Sequence, residues 1–425
     1  MSVLQFQTAQ GNHITLNARA ESTVIMRDNA LSYTFDYSGR LVGAFRDGKN
    51  YRRSFANQIL EKASGTRPGL SGRLRRTLTA AQVRALEVDA YDFAHAITSE
   101  LRRLEPAAQN EAYAAAQSAL AHINRYCYTS LERERELYEH IYHPVTILPP
   151  DQYLALYLQM TEGCAFNACT FCGFYRDRRF HIKPPEVFHE HIRRVRAFIG
   201  EGLRLRRSIF LGDANALVIH QKMLLPRFDI VNQEFDLMPR GLARDARRAW
   251  RNAHPLHFDG IYSFIDAFSS KQKRARDFAA LAERGLRRVY VGLETGDAEL
   301  LTFLGKPNTP NDVARLVNEC KEGGVAVGII VLVGAGGTKF EHAHIQHTTD
   351  LIHALPLDEH DLIYLSELTD FPNSTYSQHA AEAGIPPMNG SEIEKQMRVL
   401  RDAFQFRDRA HSPRVSWYDI REFVY

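Results

Sequence analysis

The sequence predicts an α/β fold: a partial (β/α)6 TIM-like barrel with an N-terminal α+β extension and a short C-terminal tail. Two observations carry this. Six short apolar runs, at residues 153–160, 208–211, 261–265, 289–293, 325–333 and 362–365, alternate with helical patterns at 185–200, 273–284, 311–322 and 342–354. Such alternation is the pattern of parallel βα units, and a closed eightfold barrel would need two more strands. Gly285 and Gly323 stand where two of the helices should end. The second observation is the stiff segment 144–150, whose three prolines restrict themselves and their neighbours. It separates two regions of different texture.

Taken in order, the chain begins with extended structure. Residues 31–37 alternate as a strand, Ser38 and Gly39 supply a turn, and residues 41–45 return as a second strand. A connection rich in Gly, Pro and Arg covers 65–76. Helical patterns follow at 79–104, 111–122 and 131–141. These give an extension over 1–145, the barrel over 150–375, and a tail over 376–425 made of one helix and an irregular end.

Bulk properties narrow the class. A chain of 425 residues suggests two or three units. Hydrophobic residues at 44% and charged residues at 24% are ordinary for a globular protein. A net charge of +3 gives no electrostatic case for nucleic acid. No run is long and apolar enough to span a bilayer, and the amino terminus lacks the features of a secretory signal. Five cysteines, three of them on one loop, do not make a disulfide framework. The expectation is a cytoplasmic enzyme.

The chemistry concentrates in that loop. Cys164, Cys169 and Cys172 lie in the run Thr-Glu-Gly-Cys-Ala-Phe-Asn-Ala-Cys-Thr-Phe-Cys-Gly-Phe-Tyr, directly after the first barrel strand. Three thiolates can hold three irons of a [4Fe-4S] cube and leave the fourth open to an exogenous ligand. A structural zinc would want a fourth protein ligand, and none is obvious nearby. Phe171, Phe174 and Tyr175 flank the last cysteine and would shield a cluster from water. Cys127 and Cys320 stand alone, which argues against an auxiliary cluster held by cysteines.

With a cysteine loop after strand one, Gly212-Asp213 after strand two, and six βα units in order, the chain resembles the radical S-adenosylmethionine (SAM) superfamily. The resemblance covers roughly residues 150–375. Residues 289–296 (Val-Tyr-Val-Gly-Leu-Glu-Thr-Gly) and 301–306 are similar to the branch of oxygen-independent coproporphyrinogen oxidase. One departure is the four residues between the first two cysteines, where three are commonest. The resemblance implies a [4Fe-4S] cluster on Cys164, Cys169 and Cys172, with SAM bound at the open iron. Reductive cleavage of SAM would yield a 5′-deoxyadenosyl radical that abstracts hydrogen from a substrate. It also implies an electron donor such as flavodoxin or ferredoxin, and a small-molecule or biosynthetic substrate.

The same resemblance nominates SAM contacts. The backbone at Phe174 would meet adenine, Gly212 and Asp213 the methionine ammonium group, and Ser263 the amino-acid portion or the substrate. Glu294 would meet ribose or methionine, Lys306 the carboxylate, and Val333 the adenine through its backbone. Each has a plainer reading: Asp213 as a helix cap, Lys306 as a solvated lysine, residues 331–337 as a strand-to-loop turn. Asp266 could face substrate or cap a helix. His344, Ser366 and Glu367 are candidates for the substrate side, with Asp370, Phe371 and Pro372 just beyond. Two other functions fit the same fold: a haem-handling or cofactor-transfer protein, and a nucleic-acid-modifying enzyme using the arginines at 67–76 and 240–251.

Overall fold

The computed structural model describes residues 2–63, 73–104, 110–369, 374–406 and 408–425. Most of the basic stretch at 67–76 and the residues 370–372 therefore lie outside the described residues. The chain divides into two compact units. One comprises residues 1–146, 193–207 and 421–425, the other 147–192 and 208–420. The break at 146/147 falls inside the proline-rich segment.

The first unit is built on an eight-stranded antiparallel meander, in which sequential strands are neighbours throughout. Its strands are β1 (Ser2–Gln7), β2 (His13–Ala18), β3 (Ser22–Arg27), β4 (Leu31–Asp36), β5 (Leu41–Arg46), β6 (Lys49–Arg53), β7 (Ile59–Ala63) and β8 (Leu74–Thr77). The expectation named only β4 and β5. Two of the connecting turns, Asp28-Asn29 between β3 and β4 and Asp47-Gly48 between β5 and β6, have positive φ, as tight hairpins between twisted strands require. Helices α1 (Ala80–Leu101), α2 (Glu111–Ile123) and α3 (Tyr128–Ile141) follow. Thr79 and Gln82 form a capping box at the start of α1, and Asn110 caps α2. Leu16, Ile25 and Phe35 of the sheet pack with Ala90, Ala94 and Leu120 of the helices in one buried core.

Within this core, Arg53 and Glu87 form a buried ion pair at 2.9 Å. Asn57 also accepts from Arg53, at 2.6 Å. Removing either charge would leave the other uncompensated in the interior.

The second unit holds a seven-stranded, wholly parallel sheet in the order β17-β16-β15-β14-β13-β12-β9. The strands are β9 (Leu156–Gln159), β12 (Ile209–Gly212), β13 (Ile261–Ile265), β14 (Leu286–Glu294), β15 (Ala326–Val333), β16 (Leu362–Glu367) and β17 (Arg414–Tyr418). A two-residue ladder, β10 (Thr161–Glu162) with β11 (His181–Ile182), closes the base of the cysteine loop. The first six sheet strands match the six expected apolar runs. β17 is a correction: the tail contributes a seventh parallel strand where an irregular end was expected. Only Tyr418 of β17 is buried, so its alternation is weak in sequence.

The helices are α4 (Pro185–Ile199), α5 (Gln221–Glu234), α6 (Arg244–Ala253), α7 (Ala275–Glu283), α8 (Ala298–Phe303) and α9 (Pro310–Glu322). They continue as α10 (Gly337–Ala354), α11 (Tyr376–Glu382) and α12 (Gly390–Ala403). Thr309 and Asp312 cap α9 reciprocally, with Pro310 in its first turn. Gly285 has φ +100°, as expected just past a helix end. After α9, however, it is Gly324 and not Gly323 that takes the left-handed conformation. α10 begins five residues earlier than expected, because Gly337 opens the helix and is not part of a loop.

Register sorts the strand residues onto two faces. Tyr157, Phe210, Phe264, Tyr290, Tyr364 and Tyr418 share one face. Their rings form a contiguous aromatic layer: Phe210 lies 6.0 Å from Tyr157, 5.1 Å from Phe264 and 6.0 Å from Tyr290. Gly328 of β15 makes room for this layer, since a Cβ there would meet the Tyr290 ring at 2.5 Å. Asp151 anchors the layer, accepting from the hydroxyls of Tyr290 and Tyr364 at 2.5 and 2.7 Å.

Candidate active site

At the carboxyl ends of these parallel strands, a cavity opens with about 1040 Å³ of empty volume, including its solvent-facing part. This is where parallel α/β sheets place their ligands. Cys164, Cys169 and Cys172 all line it, with Phe171, Phe174 and Tyr175 beside them.

The loop is held from several directions. Asn167, one of the four residues between Cys164 and Cys169, has φ +48°. Its N–H donates to Cys164 Sγ at 3.3 Å and its side chain to the Tyr175 carbonyl at 2.8 Å. The longer spacing thus accommodates a residue that fixes both ends of the loop. Arg176 donates to the carbonyls of Cys169 and Cys172 at 2.9 and 3.3 Å. Thr170 N donates to Leu304 O at 3.0 Å.

Burial pushes the Cys169 thiol up to about 12; Lys306 opposes the rise and Cys172 adds to it. Burial likewise takes Cys172 up to about 11, against the backbone N–H of Phe174. Among the described residues, no three His, Cys, Asp or Glu side chains converge as ligands of one metal ion. A cube makes a different demand, one thiolate on each of three irons. Three soft, free thiols lining one apolar cavity suit that demand.

Glu294 and Lys306 sit on the cavity wall. Lys306 Nζ donates to Glu294 Oε1 at 2.9 Å and to the Gly292 carbonyl at 2.7 Å. Burial draws the ammonium pKa down, but Glu294 and then Cys169 more than offset it, so it lies above its usual value. Two of the three Lys306 donors are thus taken. Glu294 itself has φ +62°, at a register shift between β14 and β15. Gly292 leaves space for the pair: a Cβ there would come within 2.3 Å of Glu294 Oε1.

Four expected SAM contacts lie elsewhere. Asp213 is buried; its Oδ1 accepts from Tyr157 Oη at 2.8 Å and Gln159 Nε2 at 3.1 Å. Its Oδ2 accepts from Gly163 N at 2.9 Å and faces Arg178 at 3.6 Å. Both oxygens are engaged in tying strand ends to the root of the cysteine loop, and Asp213 does not line the cavity. Burial raises its pKa despite these donors. Gly212 packs against Tyr157, where a Cβ would meet the hydroxyl at 1.9 Å. Ser263 and Val333 belong to the opposite face from Phe264 and Leu332. Ser263 Oγ donates to Leu211 O at 2.8 Å, and Val333 O accepts from Leu368 N at 2.8 Å.

The substrate-side candidates also divide. Ser366 and Glu367 line the cavity. His344 does not: it is fully buried in α10, its Nδ1 2.8 Å from Thr295 Oγ1 and its Nε2 without a partner. Burial drops its pKa to about 4. His347 instead pairs with Asp297 at 2.8 Å.

Two residues acquire more weight than the sequence assigned them. Asp266, on the cavity face, accepts from Ser269 N at 2.6 Å and Ser269 Oγ at 3.0 Å. Asn215, which the sequence reading did not single out as a site residue, donates its amide N–H to Asp266 Oδ2. Its only sequence signal was its place two residues after Asp213.

This arrangement agrees with comparison to known families. Residues 158–352 match the model of the radical SAM superfamily. That match spans just under half of the chain. No curated protein matches. Among solved structures, the chain is similar to the radical SAM methyltransferase TsrM from Kitasatospora setae, at 18% identity and TM-score 0.37. That match covers 54% of this chain and 37% of the other. Coproporphyrinogen III oxidase from Escherichia coli matches at 12% identity and TM-score 0.39, over 61% of this chain and 55% of that one. SuiB from Streptococcus suis matches at 12% and 0.39, over 88% and 72%. The chain thus spans well under half of the first of these. Among the described residues, no helix is long and apolar enough to cross a membrane.

Proposed function

We propose that this protein is a radical SAM enzyme, using a [4Fe-4S] cluster held by Cys164, Cys169 and Cys172. One observation carries the reading: in a radical SAM domain, the three thiols share a single cavity with Phe174, Glu294 and Lys306. When bound, the cluster would supply one electron to the SAM sulfonium, so that the C5′–S bond breaks to release methionine and a 5′-deoxyadenosyl radical for hydrogen abstraction.

The protein's own residues supply the rest. Phe171 and Phe174 exclude water from the thiols. Lys306, charged and fixed by Glu294 and Gly292 O, keeps one donor for the SAM carboxylate. The Phe174 backbone stands at the adenine side. Ser366 and Glu367, on the cavity wall contributed by β16, face a small-molecule substrate. Reducing equivalents would come from a flavodoxin or ferredoxin. Anaerobic reconstitution with iron and sulfide, followed by dithionite and SAM, tests the reading: 5′-deoxyadenosine should form, and loss of any of the three cysteines should abolish it.

A further inference from the structure

The parallel sheet has a second cavity at the opposite ends of its strands, with about 840 Å³ of empty volume including its solvent-facing part. Tyr262, Arg288 and Ala326, register partners at the starts of β13, β14 and β15, line it. It shares no lining residue with the cysteine cavity. Its charge is one-sided: Arg240, Arg287, Arg288 and Lys321 stand against Asp259 and Asp358 alone.

The carboxylates nearby are committed to other cations. Asp259 pairs with Arg251 at 2.9 Å, and Arg288 with Asp151 at 3.0 Å. Lys321 takes both Asp358, at 2.7 Å, and Asp361, at 2.5 Å. Arg240 and Arg287 form no ion pair among the described residues. Arg287 is held by backbone instead, donating to the carbonyls of Met238 at 2.5 Å, Asp259 at 3.3 Å and Ala282 at 3.5 Å. Gly260 gives it room, since a Cβ there would meet Arg287 Cγ at 2.2 Å. Arg240 donates to the Gly324 carbonyl. Each guanidinium has five N–H donors, so donors remain on both. Burial, and then the neighbouring Arg240, hold the Arg287 pKa below its usual value, a cost that an anion would relieve. The Tyr262 hydroxyl makes no hydrogen bond to the described residues, and burial keeps it protonated and so a donor.

We infer that this cavity is a second ligand site, which takes a phosphate group, free or carried on a small molecule, between Arg240 and Arg287 with Tyr262 as a further donor. Two unmatched positive charges suit a dianion, and forked donors reaching in from two segments suit its tetrahedral oxygens. None of the arginines of α6 lines the cavity, so a small molecule is favoured over a nucleic-acid strand. The inference does not depend on the radical SAM reading.

The test is isothermal titration of the full-length protein, reconstituted anaerobically with iron and sulfide, at constant ionic strength. The probes are inorganic phosphate and adenosine monophosphate. Inorganic phosphate should saturate a single site below about 10 mM. Arg240→Ala, a change at an exposed residue, should weaken it by about fivefold or more, and Arg287→Gln by about tenfold or more. Circular dichroism reports whether each variant is folded, and Arg240→Ala alone suffices if Arg287→Gln is not. Tighter binding of adenosine monophosphate, with the same dependence on Arg240, would identify a phosphomonoester as the ligand; equal or weaker binding would identify the free anion. No saturation by either probe, or affinities unchanged in both variants, would overturn the inference. So would binding of a short single-stranded RNA in preference to both probes and lost in Arg240→Ala.

Discussion

At the residue scale, a side chain's partners decide its task more firmly than its position in a motif. Asp213 stands in the expected place after the second strand, but three hydrogen bonds and an ion pair make it a structural node. Asp213→Ala would remove an acceptor shared by Tyr157, Gln159 and Gly163 N, and a second carboxylate beside Arg178, which keeps Asp177. We predict a loss of about 3–5 kcal/mol in urea unfolding of the cluster-free protein. Near-wild-type stability with loss of SAM affinity alone would return Asp213 to the ammonium role. His344 gives a second prediction. Its pKa falls from the ordinary value near 6.5 to about 4 on burial, so the unfolded state binds the proton first as pH drops. The stability present above about pH 6.5 should decline toward pH 4, by about 2 kcal/mol at pH 5. His344→Gln should remove that part of the slope, and an unchanged slope would show that other groups set it. The three cysteines were legible because their spacing is itself chemical. Asn215 was not: one short polar residue after a strand carries no signal until its burial is seen.

At the element scale, strand periodicity sorts side chains between the two faces of β13. Alternation alone put Tyr262, Phe264 and Asp266 on one face and Ser263 on the other, and the register agrees. Ser263 was nominated by resemblance, yet its hydroxyl is bound to backbone on the opposite face. The six central strands were legible because buried parallel strands read as continuous apolar runs. β17 escaped notice because an edge strand buries little; β1 and β2 do alternate, as Leu4-Gln5-Phe6-Gln7 and Ile14-Thr15-Leu16-Asn17, and were covered only by the general expectation of extended structure. The turn residues Asp28-Asn29, between β3 and β4, were an available clue. Close approach between elements makes its own prediction. Gly212→Ala would drive a methyl group to within 1.9 Å of the Tyr157 hydroxyl, and should destabilise by about 3 kcal/mol or more by the same unfolding assay. A neutral effect would mean that β9 and β12 can separate without loss.

At the scale of the whole molecule, chemistry and stability are drawn from different parts of the sequence. The meander and its helices form a core of their own, and the arginine-rich helix α6 buries none of its residues. Its exposure gives no reason to read it as more than a solvated face. The seven-stranded sheet divides its cavity face by depth: an aromatic layer, anchored by Asp151, underlies the strand ends that carry Glu294 and Ser366. The extension had no readable motif, and its structure assigns it no chemistry. Everything that points to radical SAM activity lies between residues 158 and 367.

The most direct test is therefore the reaction itself. Protein reconstituted anaerobically with iron and sulfide should bind close to four irons per chain. With dithionite and SAM it should release 5′-deoxyadenosine, and Cys169→Ala should lose both properties. Iron-free protein that retains zinc on the three cysteines, or SAM cleavage that survives Cys169→Ala, would contradict the account.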